Sequence, residues 1–113
     1  VPRLIKLMNE NSRGLSVRGS AASFLGEFRG DEVAAALIKA LDDPSVVIQA
    51  EAARALSEVG HESSVEPLMK KLNHKTLVVR LNAVFALIKM NVLQVTGPYA
   101  QAYSKTLLMS VKT

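Results

Sequence analysis

Ile48-Gln49-Ala50-Glu51-Ala52-Ala53-Arg54-Ala55-Leu56-Ser57-Glu58-Val59-Gly60 is the stretch whose pattern decides the fold. Ile48, Ala52, Ala55, Leu56 and Val59 fall on one face of a helix with 3.6 residues per turn, and Gly60 offers a stop. A step of 31 residues in either direction reproduces that face. Ile48 aligns with Val17 and Val79, Ala52 with Ala21 and Ala83, and Ala55 with Phe24 and Ala86. Leu56 aligns with Leu25 and Leu87, and Val59 with Phe28 and Met90. All five columns are apolar at all three levels, so they are expected to form the core of a stacked helical repeat.

A shorter apolar helix precedes each long one. Val33, Leu37, Ile38 and Leu41 form one such helix, with Asp31 as its expected N-cap. Val65, Leu68, Met69 and Leu72 form the next, opened by Ser63-Ser64-Val65-Glu66 as a capping box with Pro67 in the first turn. Pro2 to Met8 looks like the clipped first copy. The breaks Asp42-Asp43-Pro44-Ser45 and Asn73-His74-Lys75-Thr76 are short and polar, with Ser45 and Thr76 as expected N-caps. Gly26, Gly30 and Gly60 sit where left-handed residues would end helices. The spacing predicts helices over 2–8, 16–27, 32–41, 45–59, 64–72, 76–90 and 98–111. The expectation is an all-α, right-handed α-solenoid of about three and a half hairpins. It forms one domain over 1–113, with repeats at 1–30, 31–61 and 62–91 and a partial one at 92–113.

Composition narrows the function classes. The chain of 113 residues is 49% apolar and has no cysteine. It is too hydrophobic for a disordered chain and can form neither disulfides nor thiolate metal sites. No apolar run is long enough to span a membrane, the first residues show no signal-peptide layout, and a cytoplasmic setting is expected. The N-terminus without Met reads as a mature form or an excised piece. The net charge of +4 conceals an asymmetry. Residues 1–66 carry seven Lys/Arg against ten Asp/Glu, and residues 67–113 carry seven Lys/Arg and no acid.

Asp43-Pro44, followed by Ile48 to Leu56 and Val59-Gly60, resembles the second-helix signature of HEAT repeats, of the short bacterial type also found in phycobilin lyases. Val79 to Leu87 and Val17 to Leu25 are weaker copies. The resemblance spans roughly residues 1–91. It implies a scaffold that serves many tasks, so it speaks for fold more than for activity. In that family an Arg at the position of Arg18 and Arg80 bonds to an Asp in a neighbouring loop. Here Gln49 breaks the series, and Asn73 and His74 replace the third Asp pair, so an incomplete ladder is expected. Arg18 and Arg80 are read as structural.

Catalytic chemistry finds little support. Deoxyhypusine hydroxylase, built from similar repeats, binds two irons through His-Glu pairs inside second helices. The corresponding positions here are Gly19-Ser20, Ala50-Glu51 and Leu81-Asn82, and His61-Glu62 falls beyond Gly60 in a loop. Capping explains Ser63 and Ser64, and no phosphate-binding loop follows a strand. The expectation is a non-enzyme with no cofactor and no metal. Its partner is a protein, held on the concave face of the second helices. The stripe Glu51, Arg54, Glu58, Asn82, Phe85 and Lys89 changes at every level while the core columns do not, with Ser20, Ser23 and Glu27 at the first level. Phe85 and Arg54 would anchor such a partner. One alternative is polyanion or nucleic-acid binding through Lys70, Lys71, Lys75 and Arg80. A second, implied by the resemblance alone, is an accessory role in a phycobilin-lyase-like system. Lys6, Lys39 and Lys70 recur on the first helices, as a solvated outer face would. Tyr99 and Tyr103 are expected to pack the last helix. The apolar end at Leu107, Leu108, Met109 and Val111 raises the alternative of end-to-end self-association.

Overall fold

The computed structural model describes residues 1–91 and contains six α-helices over them. These are α1 (Pro2–Asn9), α2 (Leu15–Leu25), α3 (Asp31–Ala40), α4 (Val46–Val59), α5 (Val65–Lys70) and α6 (Leu77–Lys89). They form three hairpins, α1 with α2, α3 with α4 and α5 with α6. The second helices α2, α4 and α6 pack side by side, and each first helix covers its own partner. The seventh helix expected over 98–111, with Tyr99 and Tyr103, lies outside the described residues.

Two boundaries differ from the sequence reading for identifiable reasons. The segment 64–72 is not one helix. Single 3-10 turns at Glu62–Ser64 and Lys71–Asn73 flank a short α5. Pro67 lacks an N–H and is tolerated only in a first turn, so α5 starts just two residues before it, at Val65, and the chain enters by a tighter turn. α2 ends at Leu25 rather than residue 27, and Gly26 after it is right-handed at φ −62°. Glycine is needed there for proximity, since a Cβ at Gly26 would stand 3.1 Å from Ala55 Cα and Cβ. Gly60, at φ 67°, does close α4 in the left-handed conformation, its N–H bonding to the Leu56 carbonyl.

The capping expectations need correction. Asp31 is the first residue of α3, and Gly30 is its N-cap. Ser45 and Thr76 do occupy N-cap positions, but neither side chain makes a capping bond. Instead Asp43 Oδ2 accepts from Ser45 N–H at 2.9 Å, and His74 Nδ1 accepts from Thr76 N–H at 2.9 Å. These bonds fix the turn before each helix through the cap residue's own N–H, a different donor from the N–H groups inside the helix that a cap hydroxyl would serve. The capping box at Ser63 to Glu66 is likewise absent. His61 is the N-cap of the turn, its Nδ1 accepting from Ser63 N–H, and the Ser64 hydroxyl donates to the His61 carbonyl.

The core follows the repeated columns at the second and third levels. Ile48, Ala52, Leu56, Val79, Ala83, Ala86 and Leu87 are fully buried, with Ala55 and Val59 nearly so. The first level departs. Ala21 and Leu25 are buried, but Val17, Phe24 and Phe28 are 45%, 56% and 39% exposed. Ala55 turns toward the preceding hairpin, close to Gly26. Among the described residues no hairpin precedes that of α2, and Phe24, the equivalent of Ala55, is exposed. Met90, at the far end of its column, is half-buried. Leu68 and Leu72 from the third hairpin, and Val33 and Leu37 of α3 with Leu41 just after it, complete the core from the first-helix side.

Candidate functional site

The outer stripe of the second helices carries contacts that run from one repeat to the next. Residues 31 apart share a column, so Ser23, Arg54 and Phe85 form one and Glu27, Glu58 and Lys89 another. Arg54 Nη2 donates to Ser23 Oγ at 2.9 Å and also pairs with Glu51. Lys89 Nζ donates to Glu58 Oε1 at 2.9 Å, and the ammonium holds the Glu58 carboxyl below the ordinary carboxylate range. Asn82 turns back to the Val78 carbonyl within its own helix. Phe85 stands 61% exposed, more than any other large apolar side chain among the described residues. The structure thus places Glu51, Arg54, Glu58, Asn82, Phe85 and Lys89 on one surface. Arg54 leans toward α2, away from the level of Phe85.

Between α2 and α4 that surface deepens into a groove of about 440 Å³ lined by Ser20, Ser23, Phe24, Glu27, Arg54 and Glu58, among others. Phe24 belongs to this groove and not to the core. Column alignment assigned it inward, and only its large side chain beside Ala55 and Ala86 in the same column marks it as different in kind.

The two structural arginines are both buried, at 5% exposed for Arg18 and 2% for Arg80, yet their surroundings differ. Arg18 pairs with Asp43 in the loop of the next repeat, and its Nε donates to the Met8 carbonyl at 2.8 Å. Arg80 donates through Nη1 to the His74 and Lys75 carbonyls, and its buried Nε has no hydrogen-bond partner. Gln49, at the position between them, donates to the Asp43 carbonyl at 2.6 Å. The ladder is therefore incomplete, as the substitutions at Gln49, Asn73 and His74 imply.

The basic cluster does not present all its charges to solvent. Lys71 pairs with Asp42 at 2.9 Å and Arg80 is buried, whereas Lys70 and Lys75 are exposed. His74 beside them is held below its ordinary pKa, by desolvation first and then by the Lys71 and Lys75 charges. His61, read as part of a solvated loop, ties the chain after α4 to the first residue of α3 within one repeat. Its Nε2 lies 2.7 Å from Asp31 Oδ1 while Nδ1 accepts from Ser63. Asp31 and His61 lie 30 residues apart, at the two ends of one repeat. Among the described residues no group of three or more His, Asp or Glu could hold a metal ion. None of the described helices is long and apolar enough to cross a membrane.

Comparison with known families gives two matches. A model described as HEAT repeats matches residues 34–102, and one described as PBS lyase HEAT-like repeat matches residues 17–43. Neither describes a catalytic site on this chain, and no curated protein matches it. The longer match covers more than half of the sequence, it spans the α3–α4 and α5–α6 hairpins, and the 31-residue columns run through it: the chain belongs to the HEAT-repeat family.

Proposed function

We propose that this chain is a non-catalytic scaffold that holds a protein partner on the exposed face of its second helices. Membership of the HEAT-repeat family supports protein binding as the general role. The observation that carries the finer reading is the stripe itself. The columns facing inward are apolar at every level, whereas the stripe changes from Ser20, Ser23 and Glu27 to Glu51, Arg54 and Glu58 and then to Asn82, Phe85 and Lys89. Packing constrains the first set. Nothing in the fold demands an exposed Phe85, and aromatic and arginine side chains are enriched at binding hot spots. Phe85 and Arg54 anchor the partner, and Glu51, Glu58, Asn82 and Lys89 supply polar selection. This face is taken as the concave one, in a cytoplasmic protein.

Polyanion binding has weaker support. Of Lys70, Lys71, Lys75 and Arg80, one is paired and one is buried, which leaves two exposed charges near the loop. Neutralising so few phosphates gives a shallow salt dependence and low affinity.

A pull-down from the source cell extract tests the reading. The unmodified chain captures a partner, and a variant carrying Phe85→Ala with Arg54→Glu loses it while circular dichroism stays unchanged. Recovery of the same partner by the double variant places the site elsewhere.

A further inference from the structure

We propose that Ser63 is a nucleophile that accepts an acyl group from an activated ester, with His61 taking its proton and Asp31 orienting the imidazole. The three side chains meet where the chain turns from α4 into α5, apart from the second-helix stripe, and the scaffold reading does not depend on them. Ser63 Oγ lies 2.8 Å from His61 Nδ1, and His61 Nε2 lies 2.7 Å from Asp31 Oδ1. A hydroxyl, a base within hydrogen-bond reach and a third group that orients the base are the parts of an activated nucleophile. The antiparallel α3–α4 hairpin brings them together, since Asp31 opens α3 and His61 follows Gly60 at the end of α4.

The backbone fixes which way the protons run. Ser63 N–H, which can only donate, points at His61 Nδ1 over 3.1 Å. Nδ1 therefore carries the lone pair. The proton of the neutral ring sits on Nε2 and donates to Asp31 Oδ1. With no hydrogen on Nδ1, the Ser63 hydroxyl donates to the same lone pair, over the shorter distance. Ser63 is exposed, so an ester can reach it, whereas the His61 side chain is only 27% exposed. Ser64 beside it is fully buried, and its hydroxyl donates to the His61 carbonyl, which is no base.

In the reaction Ser63 Oγ attacks the ester carbonyl carbon. An Oγ–C bond forms as the hydroxyl proton passes to Nδ1, and the bond from carbon to the leaving oxygen breaks. The imidazolium keeps its Nε2–H on the Asp31 carboxylate and gives the Nδ1 proton to the leaving oxygen. The acyl group stays on Ser63, so the step modifies the chain without turnover.

Incubating the 113-residue chain with p-nitrophenyl acetate, followed by peptide mapping with mass spectrometry, reads the acetylation rate at each serine. Ser63 should react faster than Ser12 and Ser16, exposed serines that bond to neither histidine. His61→Asn keeps a side-chain acceptor for Ser63 N–H and removes the base. It should slow Ser63 about 100-fold, and added imidazole should restore part of the rate. Asp31→Asn should slow Ser63 less, because Asp31 is exposed, and Asp31→Glu should recover the loss. Acetylation of the lysine amines, equal in all the chains, is the reference. Ser63 reacting no faster than Ser12 overturns the proposal, as does an unchanged rate in His61→Asn. A loss in His61→Asn that imidazole leaves untouched also overturns it, since the shape of the turn and not the base would then set the rate. Asp31→Asn reacting as fast as the unmodified chain overturns the role given to Asp31.

Discussion

Arg18 and Arg80 occupy equivalent positions two repeats apart, and replacing each by methionine should have very different consequences. Methionine keeps most of the apolar stem and removes the guanidinium. At Arg18 the loss strands Asp43, whose side chain is 11% exposed, with only the Ser45 N–H as a partner. Breaking one side of a buried ion pair costs about 3–5 kcal/mol, and the slight exposure of Asp43 favours the lower end. The Met8 carbonyl also loses its donor, worth about 1 kcal/mol. Arg18→Met should therefore cost about 3–4 kcal/mol, a large share of the roughly 5–15 kcal/mol that holds a domain folded. At Arg80 there is no carboxylate to strand. The His74 and Lys75 carbonyls lose a donor in a loop that water can reach, while a buried charge with an unpartnered Nε disappears. Those changes offset, and Arg80→Met should cost no more than about 1.5 kcal/mol. Urea denaturation followed by far-UV circular dichroism, extrapolated linearly to water, resolves a difference of that size. Adding Asp43→Asn to Arg18→Met should recover much of the loss, because the amide still accepts from Ser45 N–H without carrying a charge. Equal costs at the two arginines would refute the reasoning, as would an Asn second substitution that deepens the loss.

Ala52 is fully buried where α4 meets its neighbours, and Ala52→Leu should overpack the stack by about 1–3 kcal/mol, read as a lowered Tm; an unchanged Tm counts against the face assignment. His74 is held below its ordinary pKa of 6.5, so the unfolded chain takes up a proton at a pH where the folded chain does not. Its contribution to stability should be full above pH 6.5 and decline as pH falls below that value toward the folded pKa. His74→Asn keeps an acceptor for Thr76 N–H and should remove that part of the pH dependence. His74→Asp puts a carboxylate among Lys71, Lys75 and Arg80 and should raise Tm at neutral pH. A lower Tm would show that the loop does not accommodate an acid as Asp43 is accommodated.

Much of the fold was legible because burial repeats with the sequence. Where an α-helix packs on two neighbours, the inward positions must be apolar at every level, and Ile48 with Val79 or Leu25 with Leu56 and Leu87 obey. The same alignment failed at Val17, Phe24 and Phe28 because it treats all levels alike, while no described hairpin precedes that of α2. Capping failed for a different reason. Propensity favours the hydroxyl of Ser45 or Thr76, but neither makes a capping bond, and the turn is held by Asp43 and His74, two residues earlier, accepting from the Ser45 and Thr76 N–H. That His74 substitutes for Asp43 in this bond was hidden by their chemical difference and visible only from their shared place in the repeat. The stripe of candidate partner contacts could be located from periodicity alone. The direction in which Arg54 leans, toward Ser23, depends on which neighbour offers an acceptor, and no column pattern encodes that.

The most direct measurement of the central claim places a photo-crosslinking amino acid at one of two exposed positions, Phe85 on α6 or Lys39 on α3, and recovers the adducts from the source cell extract. Scaffolding through the second helices predicts a partner protein joined at 85 and not at 39. The same partner joined at 39 and absent from 85 would contradict it.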